Sequence, residues 1–272
     1  MPLNGGTEVD RASMSCPMRQ SKRRFEKSDI EVLSLEGTYV RNPEARRVAI
    51  QDGDETCGVE EYACRHFRRR GYSAVRVEND PIFALFGVFM WPLIEDASDP
   101  RCRIVGVADR RAVDTGMKIV WTRRASDFGK PEYGVRRAKA IEKHLSAIIC
   151  EPRDLQQLFD RWLGPSDDLG LYLGGRRADQ IQVARQLIEI LPSASIVEML
   201  RYLVEDYWGR RSGWPDLMIF RDHEFFFAEV KSATDKLGNS QQRWLRDNRE
   251  RLHFPFKLIE VRKKELETLA GA

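Results

Sequence analysis

Two apolar runs, Leu217 to Phe220 and Phe225 to Val230, are separated by only four polar residues. No other feature constrains the fold as tightly. Compact apolar runs of this length with polar borders read as strands. Folded into a hairpin with Asp222-His223 at its tip, the chain pairs Arg221 with Glu224. Paired residue numbers then sum to 445, as do those of Asp216 and Glu229. The two acids would thus face each other, with Cα atoms roughly 4.5–5.5 Å apart. Lys231, two residues past Glu229, emerges on the same side. Asp222-His223 is not a favoured two-residue turn, and a slip of one residue would scatter the cluster.

The flanking pattern gives the fold class. Ser240 can cap a helix from Gln241 to about Leu252, Phe256 to Val261 reads as a further strand, and Lys263 to Leu269 as a short helix. Strand, strand, helix, strand, helix is an α/β arrangement. Upstream, Ile30 to Tyr39 and Val48 to Gln51 read as short strands broken by Asn42-Pro43, and Val59 to Arg69 as a helix ended by Gly71. Pro81 to Ile94 reads as a buried helix. Periodic Leu, Ile and Val predict helices over Arg136 to Cys150, Asp154 to Leu163, Asp179 to Leu191 and Ser195 to Tyr207. Ile104 to Val107 fits either a strand or a buried helical turn.

Composition excludes several classes. At 272 residues, 42% hydrophobic and 32% charged, the chain fits one large domain or two small ones, and is not a collagen-like or wholly disordered chain. The five cysteines, Cys16, Cys57, Cys64, Cys102 and Cys150, form no zinc-type spacing and suit a reducing compartment. The polar, Arg-rich N-terminus has no apolar core of a secretory signal. The longest apolar run, Pro81 to Ile94, has 14 residues, short for a membrane span. A soluble, cytoplasmic protein without membrane contact is expected. The net charge is only +3, but residues 101–143 carry twelve Lys and Arg against five acids, or +7. That stretch is a candidate footprint for a polyanion or a solvated helical face.

Two acids and a lysine at the ends of apolar strands suit one chemistry above others. Adjacent carboxylates repel unless a hard cation such as Mg²⁺ or Mn²⁺ neutralises them, and a cation so held acidifies water beside a phosphate. The lysine can orient that water and balance charge. A purely structural Asp/Glu/Lys network is the alternative.

Further residues give the pattern a family likeness. Gly213-Trp214-Pro215-Asp216, Glu229-Val230-Lys231, Asp235-Lys236-Leu237 and Gln241-Gln242-Arg243-Trp244-Leu245 together resemble the VRR-Nuc branch of the PD-(D/E)xK nucleases. Val59 to Ala63, His66-Phe67, Gly71-Tyr72, Glu78, Phe83 to Gly87 and Trp91 are similar to the start of the nuclease domain in the Fanconi-associated nucleases. The resemblance implies an α/β, restriction-endonuclease-like core with a mixed central sheet and a helical insertion at about 96–200. It further implies a basic N-terminal arm and short strands over 1–54 and the nuclease domain over 55–272.

By position, the resemblance makes Asp216, Glu229 and the Val230 carbonyl metal ligands, Lys231 the catalytic lysine and Gln241 a supporting residue. The remaining acid is Glu78 in the Fanconi-associated pattern, or Glu60 or Glu61 in the general one; Glu78 is preferred. The cofactor would be Mg²⁺ or Mn²⁺, and the activity cleavage of branched or flapped DNA in repair or recombination. Arg123, Arg124, Arg136 and Arg137 would grip phosphates. Two positions depart from the pattern: a family glycine is Asn79 here, and a family serine is Gly238. These residues also show nothing like the accessory domains of the longer Fanconi-associated proteins, so a broader substrate range or a homodimer is expected. A restriction or phage-defence endonuclease on the same core, or a non-catalytic DNA-binding module, are the competing readings.

Overall fold

A computed structural model describes residues 30–41, 48–109, 118–148, 152–174, 177–222 and 224–264. The chain begins with strands β1 (Glu31–Arg41), β2 (Val48–Asp52) and β3 (Glu55–Cys57), then helix α1 (Val59–Arg68), strand β4 (Ser73–Arg76) and helix α2 (Asp80–Ile94). A hairpin of β5 (Cys102–Asp109) and β6 (Lys118–Ala125) follows. Helices α3 (Pro131–Ile148), α4 (Pro152–Leu163), α5 (Asp167–Leu173), α6 (Ala178–Ile190), α7 (Ser193–Glu205) and the short α8 (Tyr207–Arg210) come next. The chain then returns to the sheet through β7 (Leu217–Arg221), β8 (Glu224–Ser232), α9 (Asn239–Asp247) and β9 (Phe256–Lys263), with a π-helical turn at Asn248–Leu252.

Seven strands form one mixed sheet in the order β3-β2-β1-β9-β8-β7-β4. β9 is parallel to both β1 and β8, and the other neighbours are antiparallel. Side chains alternate along each strand, so the sheet separates two cores. Leu217, Ile219, Ala228 and Val230 pack with Ala63, Cys64 and Phe67 of α1 on one face. Met218 and Phe227 face the larger core containing α2, α7 and Trp244 of α9. α2 is buried along most of its length, with Pro81 in its first turn. That suits a proline, whose missing N–H is not needed there.

The hairpin register is the expected one: Arg221 pairs with Glu224 and Leu217 with Ala228. Other expectations change. β1 to β3 lie in the same sheet as β7 to β9, so a boundary at residue 54 does not separate them from the core. The insertion is not wholly helical: Ile104 to Val107 lies inside β5, paired in full with β6. The helix expected from Gln241 with Ser240 as its cap starts two residues earlier, at Asn239, with Gly238 as its N-cap. Lys263 belongs to β9, and the rest of the expected terminal helix lies outside the described residues. So do the arm over 1–29 and Cys16 and Cys150.

Candidate active site

The loop leading into β7 is shaped by what it must cross. Gly213 has φ +94°, and a Cβ there would stand 2.3 Å from the Ser240 carbonyl oxygen. Only glycine allows this crossing over the first turn of α9. Trp214 is buried, its ring centroid 5.6 Å from that of Trp244, and its Nε1–H donates to the Arg210 carbonyl at 3.2 Å. With the loop pinned, Asp216 sits at the threshold of β7. Its Oδ2 accepts the Val230 N–H at 2.8 Å.

Glu229, on β8, is 2% exposed. Its Oε1 receives Lys231 Nζ at 2.7 Å, and the same oxygen accepts from Gln241 Nε2. Gln241 is oriented by its other end, since its Oε1 accepts the Gly238 N–H at 2.9 Å. That bond closes the start of α9 and turns the amide nitrogen toward Glu229. One residue therefore serves both as a helix cap and as a clamp on the acid.

The electrostatics follow from burial. Desolvation raises the proton affinity of Asp216, with the Val230 N–H and Lys231 opposing and Glu78 and Glu60 adding to it. Desolvation also raises that of Glu229; the Asp216 charge adds, and Lys231 opposes. The two carboxyls lie near enough for each negative charge to oppose the other's ionisation. Like charges this close do not both ionise without a counter-charge.

That repulsion marks where a cation fits. A buried and a half-buried acid with only oxygen donors suit a hard divalent ion, which would neutralise both. Among the described residues, no group of three or more His, Cys, Asp or Glu converges as a metal set. The third acid is therefore near the pair rather than joined to it. Glu78 follows β4, which is tied to the site by the Val77 N–H donating to the Asp216 carbonyl at 3.0 Å. Its Oε1 accepts from Asn79 Nδ2 at 3.1 Å. Asn79 has φ +60° and ψ −79°, and the Asp80 N–H donates to the Glu78 carbonyl at 2.8 Å, a tight γ-turn that a glycine adopts with less strain than asparagine. Glu61 is engaged by Arg65, Arg68 and Arg76 at 3.3–3.7 Å, whereas Glu60 forms no such pairs among the described residues.

The basic stretch divides. Arg136 bridges Asp99 and Asp127 at 2.9 and 2.8 Å, and Arg137 bridges Asp96 and Asp99 at 2.8 and 3.4 Å. Asp99 and Asp127 are buried. These arginines are structural counter-ions, which corrects their expected role as phosphate grips. Arg123 is exposed on β6. Arg124 lies over the Tyr172 ring at 4.7 Å. Sequence reasoning missed Arg211, five residues before Asp216. Its guanidinium lies over Phe83, Trp208 and Tyr207 at 4.8, 5.3 and 5.5 Å. The run Tyr207-Trp208-Gly209-Arg210-Arg211 was the available signal, since aromatics beside arginines invite such stacking.

A mixed sheet that carries two acids and a lysine at the mouth of one hairpin defines the restriction-endonuclease-like α/β class. Residues 151–263 match the VRR-NUC domain. The Fanconi-associated nuclease 1 homolog of Pseudomonas aeruginosa is 28% identical over 211 residues, covering 72% of this chain and 33% of that protein. Human Fanconi-associated nuclease 1 is 24% identical over 196 residues, covering 70% of this chain and 18% of that one. A crystal structure of paFAN1 bound to 5′-flap DNA superposes with a TM-score of 0.63 at 23% identity, covering 90% of this chain and 40% of that chain. Residues 151–263 are thus similar to the VRR-NUC domain and most of the chain to the Fanconi-associated nucleases; the chain spans about a third or less of each curated relative's length.

Proposed function

We propose that this chain hydrolyses DNA phosphodiesters at flapped or branched sites with the help of Mg²⁺ or Mn²⁺. One observation carries the reading: half-buried Asp216 beside buried Glu229, with Lys231 at 2.7 Å from Glu229. Asp216, Glu229 and the Val230 carbonyl would hold the ion, with Glu78 approaching from the end of β4. When bound, the ion supplies an acidified water and charge stabilisation at the phosphate. Lys231 orients that water, and its positive charge offsets the charge that develops on the phosphate. Gln241 keeps Glu229 aimed. Arg124 and Arg211, held on aromatic faces and without carboxylate partners among the described residues, offer cations to the DNA backbone. The 5′-flap DNA named with paFAN1 supports a flap as the first substrate to try, and the repair role of the Fanconi-associated relatives supports a place in repair.

The test is cleavage of duplex, 5′-flap, 3′-flap and four-way-junction DNA in Mg²⁺, Mn²⁺ or EDTA. Flap or junction cleavage that stops in EDTA is expected. Asp216→Asn and Lys231→Ala should lose at least about a hundredfold in rate while keeping DNA affinity. Glu78→Gln should be as damaging, and Glu60→Gln nearly silent. Cleavage in EDTA overturns the metal reading, and retained turnover in Lys231→Ala overturns the site. Sequence-specific cutting of plain duplex would instead indicate a restriction-type enzyme.

A further inference from the structure

The β5–β6 hairpin has one face inside the protein and one outside. Val120 and Thr122 are buried on the inner face, and the Thr122 hydroxyl donates to Glu95 Oε1 at 3.0 Å, fixing the hairpin to the end of α2. The outer face carries Ile104, Ile119 and Trp121 at 66%, 50% and 59% exposure. Large apolar side chains grouped this way on a surface mark an interaction site.

Trp121 is also held flat. It pairs directly with Gly106, and a Cβ on that glycine would stand 3.0–3.1 Å from the indole ring. The missing side chain lets the ring lie on the strand backbone and turn its other face to solvent. Arg123, the next outward residue on β6, is exposed and has no carboxylate partner among the described residues.

We infer that this outer face is a base-stacking platform for an unpaired strand, with Trp121 taking a base and Arg123 the adjoining phosphate. The inference rests on the nucleic-acid reading above and adds a second contact point to it. A flat, exposed indole beside an arginine with no carboxylate partner among the described residues matches single-stranded nucleic acid, where stacking on aromatics and backbone charge supply the affinity. A second copy of this chain fits worse. A two-fold contact at Trp121 would bring Arg123 near its own copy, and three apolar side chains fall well short of the roughly 800 Å² per partner of a stable interface. α2 separates the hairpin from Glu78 by 15 residues, roughly 22 Å of helix. The stacked base should lie about that far from the cut.

The experiment uses the whole chain in EDTA, so that no outcome depends on cleavage. A 5′-flap substrate carries 5-iodouracil at successive positions, and photo-cross-links are mapped by mass spectrometry. A cross-link to Trp121 at unpaired positions of the flap is expected. Trp121→Ala should weaken binding of flapped DNA by roughly 5- to 150-fold and leave blunt duplex unchanged, and Trp121→Phe should restore most of it. Arg123→Ala should lower the salt slope on single strands by about 0.7. Thermal melting of each variant checks the fold, and the wild-type cross-link stands whatever the variants do. Cross-links confined to other residues overturn the platform, as does equal weakening on blunt duplex. Sedimentation showing a dimer that Trp121→Ala dissolves would assign the face to self-association instead. Absence of cleavage in Mg²⁺ would fail the proposed function while leaving this outcome readable, whereas normal flap cleavage without a Trp121 cross-link fails the platform alone.

Discussion

At Glu229 a single oxygen receives both Lys231 and Gln241, while desolvation and the Asp216 charge raise the carboxyl's affinity for a proton. The pair is therefore tuned by burial, and pH should reveal it. Both acids bind a proton more tightly in the folded protein than in the unfolded chain, where ordinary values are 3.8 and 4.5. The folded state then holds more protons, so metal-free stability should fall as pH rises above that ordinary range. Each unit of pH costs at most about 1.4 kcal/mol per extra proton bound. Mg²⁺ should reverse the loss, because it replaces the proton. Thermal melting between pH 4.5 and 8.5, with EDTA and with Mg²⁺, measures this. A Glu229→Gln variant should show a flatter profile, and a wild-type profile that rises with pH in EDTA would contradict the coupled pair.

At the scale of elements, the loop before β7 is the joint on which the site depends. Gly213→Ala places a methyl group against the main chain of Ser240 and forces a non-glycine residue to positive φ. The loop or α9 must shift, and Gln241 moves with α9. Activity should fall at least tenfold even if the melting temperature drops only a few degrees; crystallography or amide exchange of α9 would show the displacement. Much of this region was legible in the sequence. The apolar runs fixed the register because one slipped residue would turn Phe227 and Met218 out of the larger core. Other elements were hidden for physical reasons. β4 is four residues with only Ala74 buried, too short for a pattern to emerge. β5 and β6 were obscured because their outer face is apolar as well, which removes the alternation that identifies a half-buried strand. Nor could Gly238 be foreseen as a cap, since its bond comes from Gln241 and not from a side chain of its own.

For the molecule as a whole, charge had to be located before it could be interpreted. The stretch over 101–143 is strongly basic in sequence, but Arg136 and Arg137 face buried Asp99 and Asp127 or the nearby Asp96. The balancing Asp99 lies just before the stretch, so summing charge within it overstated what is free for DNA. Reversing Arg136 to Glu should act on stability: two buried carboxylates would each lose one of their two arginines and face a like charge instead, at a cost on the order of 3 kcal/mol. The melting temperature should drop by about 5–10 °C, with DNA salt dependence unchanged in the folded fraction. Calorimetry and a salt titration of affinity distinguish the two roles, and an unshifted melt with a reduced salt slope would return Arg136 to the DNA.

The sheet's central strand has a consequence for how the chain acquires its shape. β1 is held by β9, and Lys257 Nζ reaches Glu31 across 226 residues of sequence. During synthesis at about 5–20 residues per second, β1 must wait roughly 10–45 seconds before its parallel neighbour exists. Loop closure over such a span makes the final pairing slow. Through that interval the edge of β1 that β9 will cover is unsatisfied, and β1 with its neighbour β2 forms a ribbon open to any passing strand. The nascent chain's vulnerability to aggregation is thus concentrated at the strand that is made first and paired last.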